Sequence, residues 1–396
     1  MLIAPAFCVA VLGDASFPSI PTCMSVPQNQ RLTALDAFRG LTIASMILVN
    51  SPGSWSYVYW PLDHAKWHGL TPTDLVFPFF LFIGGVSMWF SFAAFGQKPN
   101  SDLLRKIFWR AVSIYVVYVI IVTFPFVKQD WDFSKFRILG VLPRIALCYL
   151  GVSLWVLFMG QRKQAYVAVG ILLGYWLVMW LGGTGADRYG LATNFQRQLD
   201  LMALGENHLY KGEGLPFDPE GLLSTLPAMV TMWLGYEVGR RIAQRQSWGL
   251  LLSRMLVWGG VLVAVGGLWH FVFPINKKIW TSSYVLVTGG LAIWFLTLWL
   301  WLTEVKGWKK LAYPFTVYGT NAIFAYLVSD LYVISLLKIK YQLYGKSVSG
   351  YTYLYETVFR QIAGDYNGSL LFAVAMVVLF WLLLWWMHRK KLYVKL

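Results

Sequence analysis

Residues 369–387 read SLLFAVAMVVLFWLLLWWM, a run of 19 residues without a charged side chain. A helix needs about 20 apolar residues to cross the hydrocarbon core of a bilayer, so this run predicts a transmembrane helix. Similar runs recur along the chain, which is 58% hydrophobic and 13% charged, with a mean hydropathy of +0.56. Soluble domains are about 45–50% apolar and about 25% charged. The runs are continuous rather than alternating, which excludes a transmembrane β-barrel and a soluble enzyme with one anchor.

The sequence therefore predicts an all-α, polytopic integral membrane protein with about ten transmembrane helices. We expect residues 31–396 to form a single transmembrane domain. Residues 1–30 are expected to be a poorly ordered N-terminal extension, because their apolar stretch is too short to span and lacks a preceding basic residue. The predicted spans are 34–49, 74–95, 106–125, 139–159, 165–182, 222–239, 255–272, 281–302, 311–337 and 369–387.

Charge differs between the two alternating sets of connecting segments. One set holds 17 Lys and Arg against two acids in 52 residues, whereas the other holds 13 against 11 acids in 115 residues. By the positive-inside rule the first set is cytoplasmic, which places both termini inside and the long loops 183–221 and 338–368 outside. A basic inner face without a usable signal peptide favours the bacterial inner membrane. The excess of basic residues behind the net charge of +15 therefore lies mainly at the cytoplasmic face of the membrane. We accordingly expect membrane lipids and not nucleic acid as partners.

Charged residues inside predicted spans are costly and are therefore functional candidates. Asp36 and Arg39 lie three apart at the cytoplasmic end of the first span, where an ion pair with interfacial snorkelling is an equally good explanation. Arg144 in the fourth span and Asp330 in the ninth lie deeper. Either could be a structural partner of an opposite charge, which the sequence does not decide.

The densest external group of polar residues is PLDHAKWHGLTPTD, residues 61–74. Thr71, Pro72 and Asp74 are typical of the N-cap, N1 and N3 positions of a helix, so we predict a capping box at the start of the second span. His64 precedes the cap by seven residues and can fold back over the positive helix end, where a neutral imidazole is favoured. Such a histidine suits a general base or an acyl acceptor, although an exposed loop histidine is the alternative. His64 and His68 lie four positions apart and could form a metal-binding pair if the loop were helical. No third ligand accompanies them in the sequence, so no metal site is expected.

The external loop before the sixth span holds a second group of candidates. His208 is a candidate ligand-binding residue. Asp218 and Pro219 are interpreted as the N-cap and N1 of the following helix, which would explain them structurally.

The chain resembles the heparan-α-glucosaminide N-acetyltransferase family, including bacterial members labelled NagX, over residues 31–396. This resemblance implies transfer of an acetyl group from cytoplasmic acetyl-CoA to the amine of a glucosamine-type sugar on the outside. The family's active-site histidine falls on His64, and its asparagine at the end of the first span falls on Asn50. The animal pattern has asparagine at His68, and animal members carry a large lumenal region before the first span that we do not expect in this protein. The matching segments are LDAFRGLTIASMILVN (35–50), HAKWHGLTPTDLVFPFFLFIGG (64–85), KIFWRA (106–111), GVLPRIALCY (140–149), HLY (208–210), FDPEGLLST (217–225), PINKKIWTSSYV (274–285) and RKKLYVKL (389–396).

We therefore assign His64 as general base or acetyl carrier and Asn50 as a hydrogen-bond donor to the oxyanion or the acceptor. Direct transfer and an acetyl-histidine intermediate remain open, and the resemblance suggests a homodimer. The alternatives are an amino-sugar permease and a non-catalytic scaffold. The remaining expected site residues are Arg39, Arg110 and Arg144 for acetyl-CoA, and Asp74, His208 and Asn276 for the amino sugar.

Overall fold

The computed structural model describes residues 32–124 and 133–394, so the predicted N-terminal extension lies outside the described residues. Helices dominate, which confirms the predicted all-α fold. The helices are α1 (Thr33–Asn50), α2 (Val76–Ala93), α3 (Ser101–Thr123), α4 (Val141–Phe158), α5 (Gln161–Gly182), α6 (Phe195–Leu204), α7 (Thr225–Ala243), α8 (Trp248–Trp269), α9 (Ser282–Leu300), α10 (Lys309–Thr320), α11 (Ala322–Lys338), α12 (Gly350–Leu354) and α13 (Arg360–Arg389).

The helices bear out a polytopic membrane protein. Among the described residues, seven helical segments are long and apolar enough to cross a membrane, and one bent helix pair would make eight. Nine of the ten predicted spans each fall on one helix, and the ninth span falls on two, α10 and α11. Helices α1 and α7, which carry charged side chains near one end, are not among the seven segments. Whether these two also cross the bilayer, and on which side the termini lie, stay predictions.

Two predicted spans differ from the structure. The ninth, 311–337, is not one helix, because the chain bends by 68° between α10 and α11 at Asn321. The backbone of Asn321 is not helical (φ −129°, ψ 40°). Its side chain binds the C-terminal segment, donating to the Leu392 carbonyl (3.1 Å) and accepting from the Val394 N–H (2.9 Å). The tenth span is longer than predicted, since helical structure runs from Gly350 to Arg389 with a kink at Gly364.

The predicted external loop 338–368 contains a small antiparallel hairpin. Strand β1 (Lys340–Leu343) pairs with β2 (Lys346–Ser349). Tyr344 and Gly345 connect them with φ angles of 50° and 76°, as a two-residue turn of type I′ requires.

Glycines allow the central helices to approach closely. A Cβ built on Gly85 of α2 would lie 1.8 Å from the Met232 carbonyl oxygen of α7. Reciprocally, a Cβ on Gly235 would lie 1.9 Å from the Phe82 carbonyl oxygen. Small residues permit such backbone contact between membrane helices, where no water drives association. This contact fixes α2, which directly follows the 3₁₀ turn Pro72–Leu75 that carries the residues described next.

We predict that Gly85→Ala lowers the thermal stability of the detergent-solubilised protein, because its methyl group must displace the α7 backbone. Overpacking of this kind costs about 1–3 kcal/mol. The neighbouring Gly84→Ala is the matched control, since its Cβ would meet only the Met232 methyl carbon at 3.7 Å. Alanine favours helix over glycine, so Gly84→Ala should leave the melting temperature equal or higher. Equal melting temperatures for both variants would contradict the proposed close contact.

Candidate active site

The first turn of the second span orients a histidine. Asp74 lies at N3 of the predicted capping box, which the structure confirms, and is almost fully buried. One carboxylate oxygen, Oδ2, accepts the backbone N–H groups of Thr71 and Ala65, each at 3.1 Å. The other, Oδ1, lies 2.7 Å from Nδ1 of His64, so the histidine does fold back over the helix start. An ionised carboxylate only accepts hydrogen bonds, so Nδ1 of His64 carries a proton, and in the corresponding neutral tautomer Nε2 has a lone pair that can accept a proton.

A half-buried lysine completes the group. Nζ of Lys277 lies 3.2 Å from Nδ1 and 3.4 Å from Nε2 of His64, and 3.8 Å from Oδ1 of Asp74. Burial lowers the pKa of the Lys277 ammonium, and the Asp74 carboxylate opposes this shift. Sequence reasoning missed this residue, although it lies in the segment 274–285 that carries the family resemblance and directly follows the selected Asn276.

His64, Asp74 and Lys277 line a cavity of about 300 Å³ together with Asn50. Its outer part is polar and is built from segments that the charge count assigns to the external side. Its inner part is apolar and extends between α1, α2, α4 and α11 as far as Ile43. The remaining lining residues are Met46, Val49, Ala65, Trp67, Thr73, Val76, Phe77, Phe80, Arg137, Val141, Leu142, Ile145, Tyr210, Glu213, Pro219, Glu220, Lys278, Trp280, Ile323 and Tyr326.

The wall of the cavity includes an ion cluster that sequence reasoning did not find. Arg137 donates to both Asp218 (2.8 and 2.9 Å) and Glu220 (2.7 Å), and its guanidinium lies 4.8 Å from the Tyr210 ring centroid. The interpretation of Asp218 and Pro219 as a helix cap is wrong, because α7 begins only at Thr225. The buried Asp218 carboxylate instead binds Arg137, 81 residues away, a pairing without a local sequence signal.

The arginines expected to bind acetyl-CoA lie apart from His64. Arg39 forms the predicted pair with Asp36 (3.1 Å) and also donates to the Gly319 carbonyl (3.3 Å) and the Ser87 hydroxyl. It lies one helical turn beyond Ile43, about 6 Å along α1 from the inner end of the cavity. Arg110 lies over the Tyr149 ring, 5.0 Å from its centroid.

Arg144 is fully buried behind the cavity wall rather than on its surface. Its guanidinium donates to the Gly221 carbonyl (3.0 Å) and the Ser224 hydroxyl, and it lies 5.2 Å from the Trp280 ring centroid. Within the described part of the chain, its Nε and Nη1 atoms have no hydrogen-bond partner.

Two residues expected to bind the sugar lie outside the cavity. Asn276 is buried, and its side-chain amide oxygen Oδ1 accepts the N–H groups of Lys278 (2.8 Å) and Ile279 (3.2 Å), so it shapes the turn that carries Lys277. His208 donates from Nδ1 to the Phe136 carbonyl at 2.7 Å. Asp74, the third residue expected to bind the sugar, does line the cavity, where its carboxylate is hydrogen-bonded to His64.

Residues 31–267 match the family model described as heparan-α-glucosaminide N-acetyltransferase, catalytic. The chain belongs to this family. The heparan-α-glucosaminide N-acetyltransferase of Homo sapiens is 28% identical over 356 residues, covering 76% of this chain and 53% of the human protein. The enzyme of the same name from Mus musculus is 29% identical over 352 residues, covering 75% and 53%. The chain thus spans about half the length of the curated relatives it matches. The predicted resemblance to the heparan-α-glucosaminide N-acetyltransferase family is confirmed, and the matched region contains His64, Asp74 and Asn50.

One more acid lies near the site, beside Arg144. Asp200 is fully buried, with Oδ1 accepting the Leu222 N–H at 3.0 Å. Burial raises the pKa of the Asp200 carboxyl to about 7, and the nearby Asp218 charge adds to this effect.

We predict that Asp200 makes the protein less stable as pH rises from about 4 to about 7. An unfolded aspartic acid loses its proton near pH 4, whereas the folded one keeps it up to about 7, so folding becomes less favourable across this range. Asp200→Asn, which retains the acceptor for Leu222, should flatten this part of the melting temperature profile. Melting curves of both proteins between pH 4.5 and 8 measure the difference. An identical slope in the variant would refute the assignment.

Proposed function

We propose that this protein is a multi-pass acetyltransferase of a bacterial inner membrane. It moves an acetyl group from cytoplasmic acetyl-CoA to the amine of a glucosamine-type sugar on the periplasmic side. The observation that supports this proposal most directly is the hydrogen bond between His64 and the buried Asp74 at the wall of a cavity. Both residues lie in the region that matches the family model. The curated relatives, which are named for N-acetyl transfer to heparan-α-glucosaminide, support the acceptor class.

His64 acts as the general base in this proposal. The lone pair on Nε2 takes a proton from the acceptor amine as its nitrogen attacks the thioester carbonyl. The new C–N bond forms, the C–S bond breaks, and the sulfur leaves with its electron pair. The imidazolium then returns the proton to the thiolate, so the products are an amide and CoA. Asp74 holds the reactive tautomer and stabilises the transient imidazolium.

The oxyanion of the tetrahedral intermediate needs positive or hydrogen-bonding groups close by. Lys277, within 3.4 Å of both ring nitrogens of His64, supplies an ammonium. Asn50 lies on the wall of the same cavity and supplies an amide N–H. Asp74 keeps a negative charge next to Lys277, which favours retention of the lysine proton despite burial.

The donor enters through the inner half of the cavity in this scheme. The apolar walls near Ile43 and Phe80 suit the flexible arm that carries the thioester. Arg39 continues the path towards the basic face, and Arg110 lies on the same half of the membrane domain. Both can bind the phosphates of acetyl-CoA with their guanidinium groups.

A permease for amino sugars is the second candidate. The 68° break between α10 and α11 favours it, because discontinuous helices bind substrates in many transporters. Such a permease would carry labelled glucosamine into vesicles without acetyl-CoA. Because a permease transfers no acetyl group, His64→Ala would have no transfer activity to remove.

We predict that His64→Ala reduces acetyl transfer by about 10²–10⁴-fold, the usual contribution of a general base. The assay is transfer from radiolabelled acetyl-CoA to glucosamine by purified protein in detergent. Asp74→Asn should also lose activity, since its amide no longer fixes the tautomer. His388→Gln, in the basic C-terminal region, is the control and should retain full activity and stability. Equal rates for His64→Ala and the control would exclude His64 from the chemistry.

The same geometry permits attack by Nε2 itself on the thioester, which would give an acetyl-histidine intermediate. Incubation with labelled acetyl-CoA but without an amine distinguishes the two routes. Direct transfer leaves the protein unlabelled, whereas the covalent route labels wild type and not His64→Ala.

We further predict that transfer occurs across the membrane. Vesicles with acetyl-CoA sealed inside and glucosamine only outside should form external N-acetylglucosamine. A fraction of the reconstituted protein is oriented with its basic side towards the vesicle interior, where the acetyl-CoA is. Vesicles that contain His64→Ala provide the background. Product that appears only after detergent lysis would show that both substrates use one side.

A further inference from the structure

A second chamber, of about 230 Å³, lies between α1 and α11 beside the cavity that contains His64. Met46, Asn50 and Tyr326 line both spaces, so the two are adjacent. The chamber is far larger than the about 30 Å³ that one water molecule occupies, and it has room for a monosaccharide ring. Its apolar walls are formed by Met46, Ile47, Val333 and Ile334, and its polar lining consists of Asn50, Ser51, Ser329, Asp330 and the phenol of Tyr326.

Asp330 gives this chamber its chemical character. The residue belongs to α11, inside a bent helix pair that is apolar enough to cross a membrane. Its carboxyl interacts with the Tyr326 hydroxyl, one helical turn earlier. In residues 32–124 and 133–394, no lysine, arginine or histidine forms a salt bridge with it. A carboxylate without a cationic partner is costly within a membrane domain, and such residues mark ligand or proton sites.

We propose that the Asp330 chamber binds the protonated primary amine of the acceptor sugar. This inference rests on the proposed acetyl transfer and names the acceptor subsite. The ammonium supplies the missing cation, and the sugar ring occupies the remaining volume. The hydroxyl of Tyr326 and the amide of Asn50 lie at the boundary with the main cavity. The ammonium leaves one proton on the Asp330 carboxylate, and the neutral amine then moves past Tyr326, one helical turn away on α11, into the cavity that His64 lines.

The subsite explains how the protein can select amino sugars before reaction. Glucosamine and glucose differ only in the ammonium group that replaces one hydroxyl. A neutral sugar leaves the Asp330 carboxylate unpaired, so it binds less well. His64 and Lys277 cannot provide this selection, because Lys277 carries a positive charge that repels an ammonium.

The test measures sugar binding without acetyl-CoA, using tryptophan fluorescence of the purified full chain. Wild type should bind glucosamine at least about tenfold more tightly than glucose, the ratio that 1.4 kcal/mol provides. Asp330→Asn should abolish this preference, and Asp330→Glu should retain it. Asp365→Asn is the matched control, since the same chemical change removes a carboxylate that pairs with Arg360 outside the chamber. Melting curves verify that all variants are folded.

Two outcomes would overturn the subsite: an unchanged glucosamine preference in Asp330→Asn, or equal binding of the two sugars by wild type. Acetyl transfer is measured separately in the same samples. A wild type that prefers glucosamine through Asp330 but transfers no acetyl group would refute the acetyltransferase proposal and support an amine-binding site. A wild type that transfers acetyl with an unchanged preference in Asp330→Asn would refute the subsite alone.

Discussion

The Asp74 carboxylate connects the membrane fold to the candidate chemistry. One oxygen accepts two backbone N–H groups near the start of the second span, and the other binds His64. A carboxylate is stable there because the helix start presents N–H donors and a positive dipole end, while Lys277 lies 3.8 Å away. The same bonds that begin the helix therefore fix the orientation and tautomer of the imidazole. The close contact between α2 and α7 keeps this helix start in place against the rest of the bundle.

Around this group, loop residues that lie far apart in the sequence form ion pairs. Arg137 joins Asp218 and Glu220, and Lys278 binds Glu213 at 2.6 Å. These pairs neutralise a concave surface whose floor is apolar, which suits an acyl chain below and a polar acceptor above. The Asp330 chamber lacks such compensation, and this difference is the basis for assigning it to a cationic ligand. In the proposed function, the polar half of the cavity is therefore assigned to the sugar and the apolar half to the arm that carries the thioester.

The accuracy of sequence-based prediction depended on how local each feature was. The capping box at Thr71 and Asp74 and the pair of Asp36 with Arg39 involve residues three apart, and both were predicted. Lys277 reaches His64 over 213 positions, so no spacing rule could select it over its neighbours. The helix break at Asn321 also escaped prediction, because it depends on bonds to a segment about 70 residues later.

The sequence alone determined that this chain is a helical membrane protein of the heparan-α-glucosaminide N-acetyltransferase family, with a histidine beside a capped helix. Continuous apolar runs and residues a few positions apart carry these properties, because bilayer thickness and helix geometry act locally along the chain. Only the tertiary structure decided which loops enclose the cavity, which lysine contacts His64 and that Asp330 lines a chamber to which the described residues contribute no cation. These features depend on side chains brought together by helix packing, and the pairings that result leave no periodic pattern in the sequence.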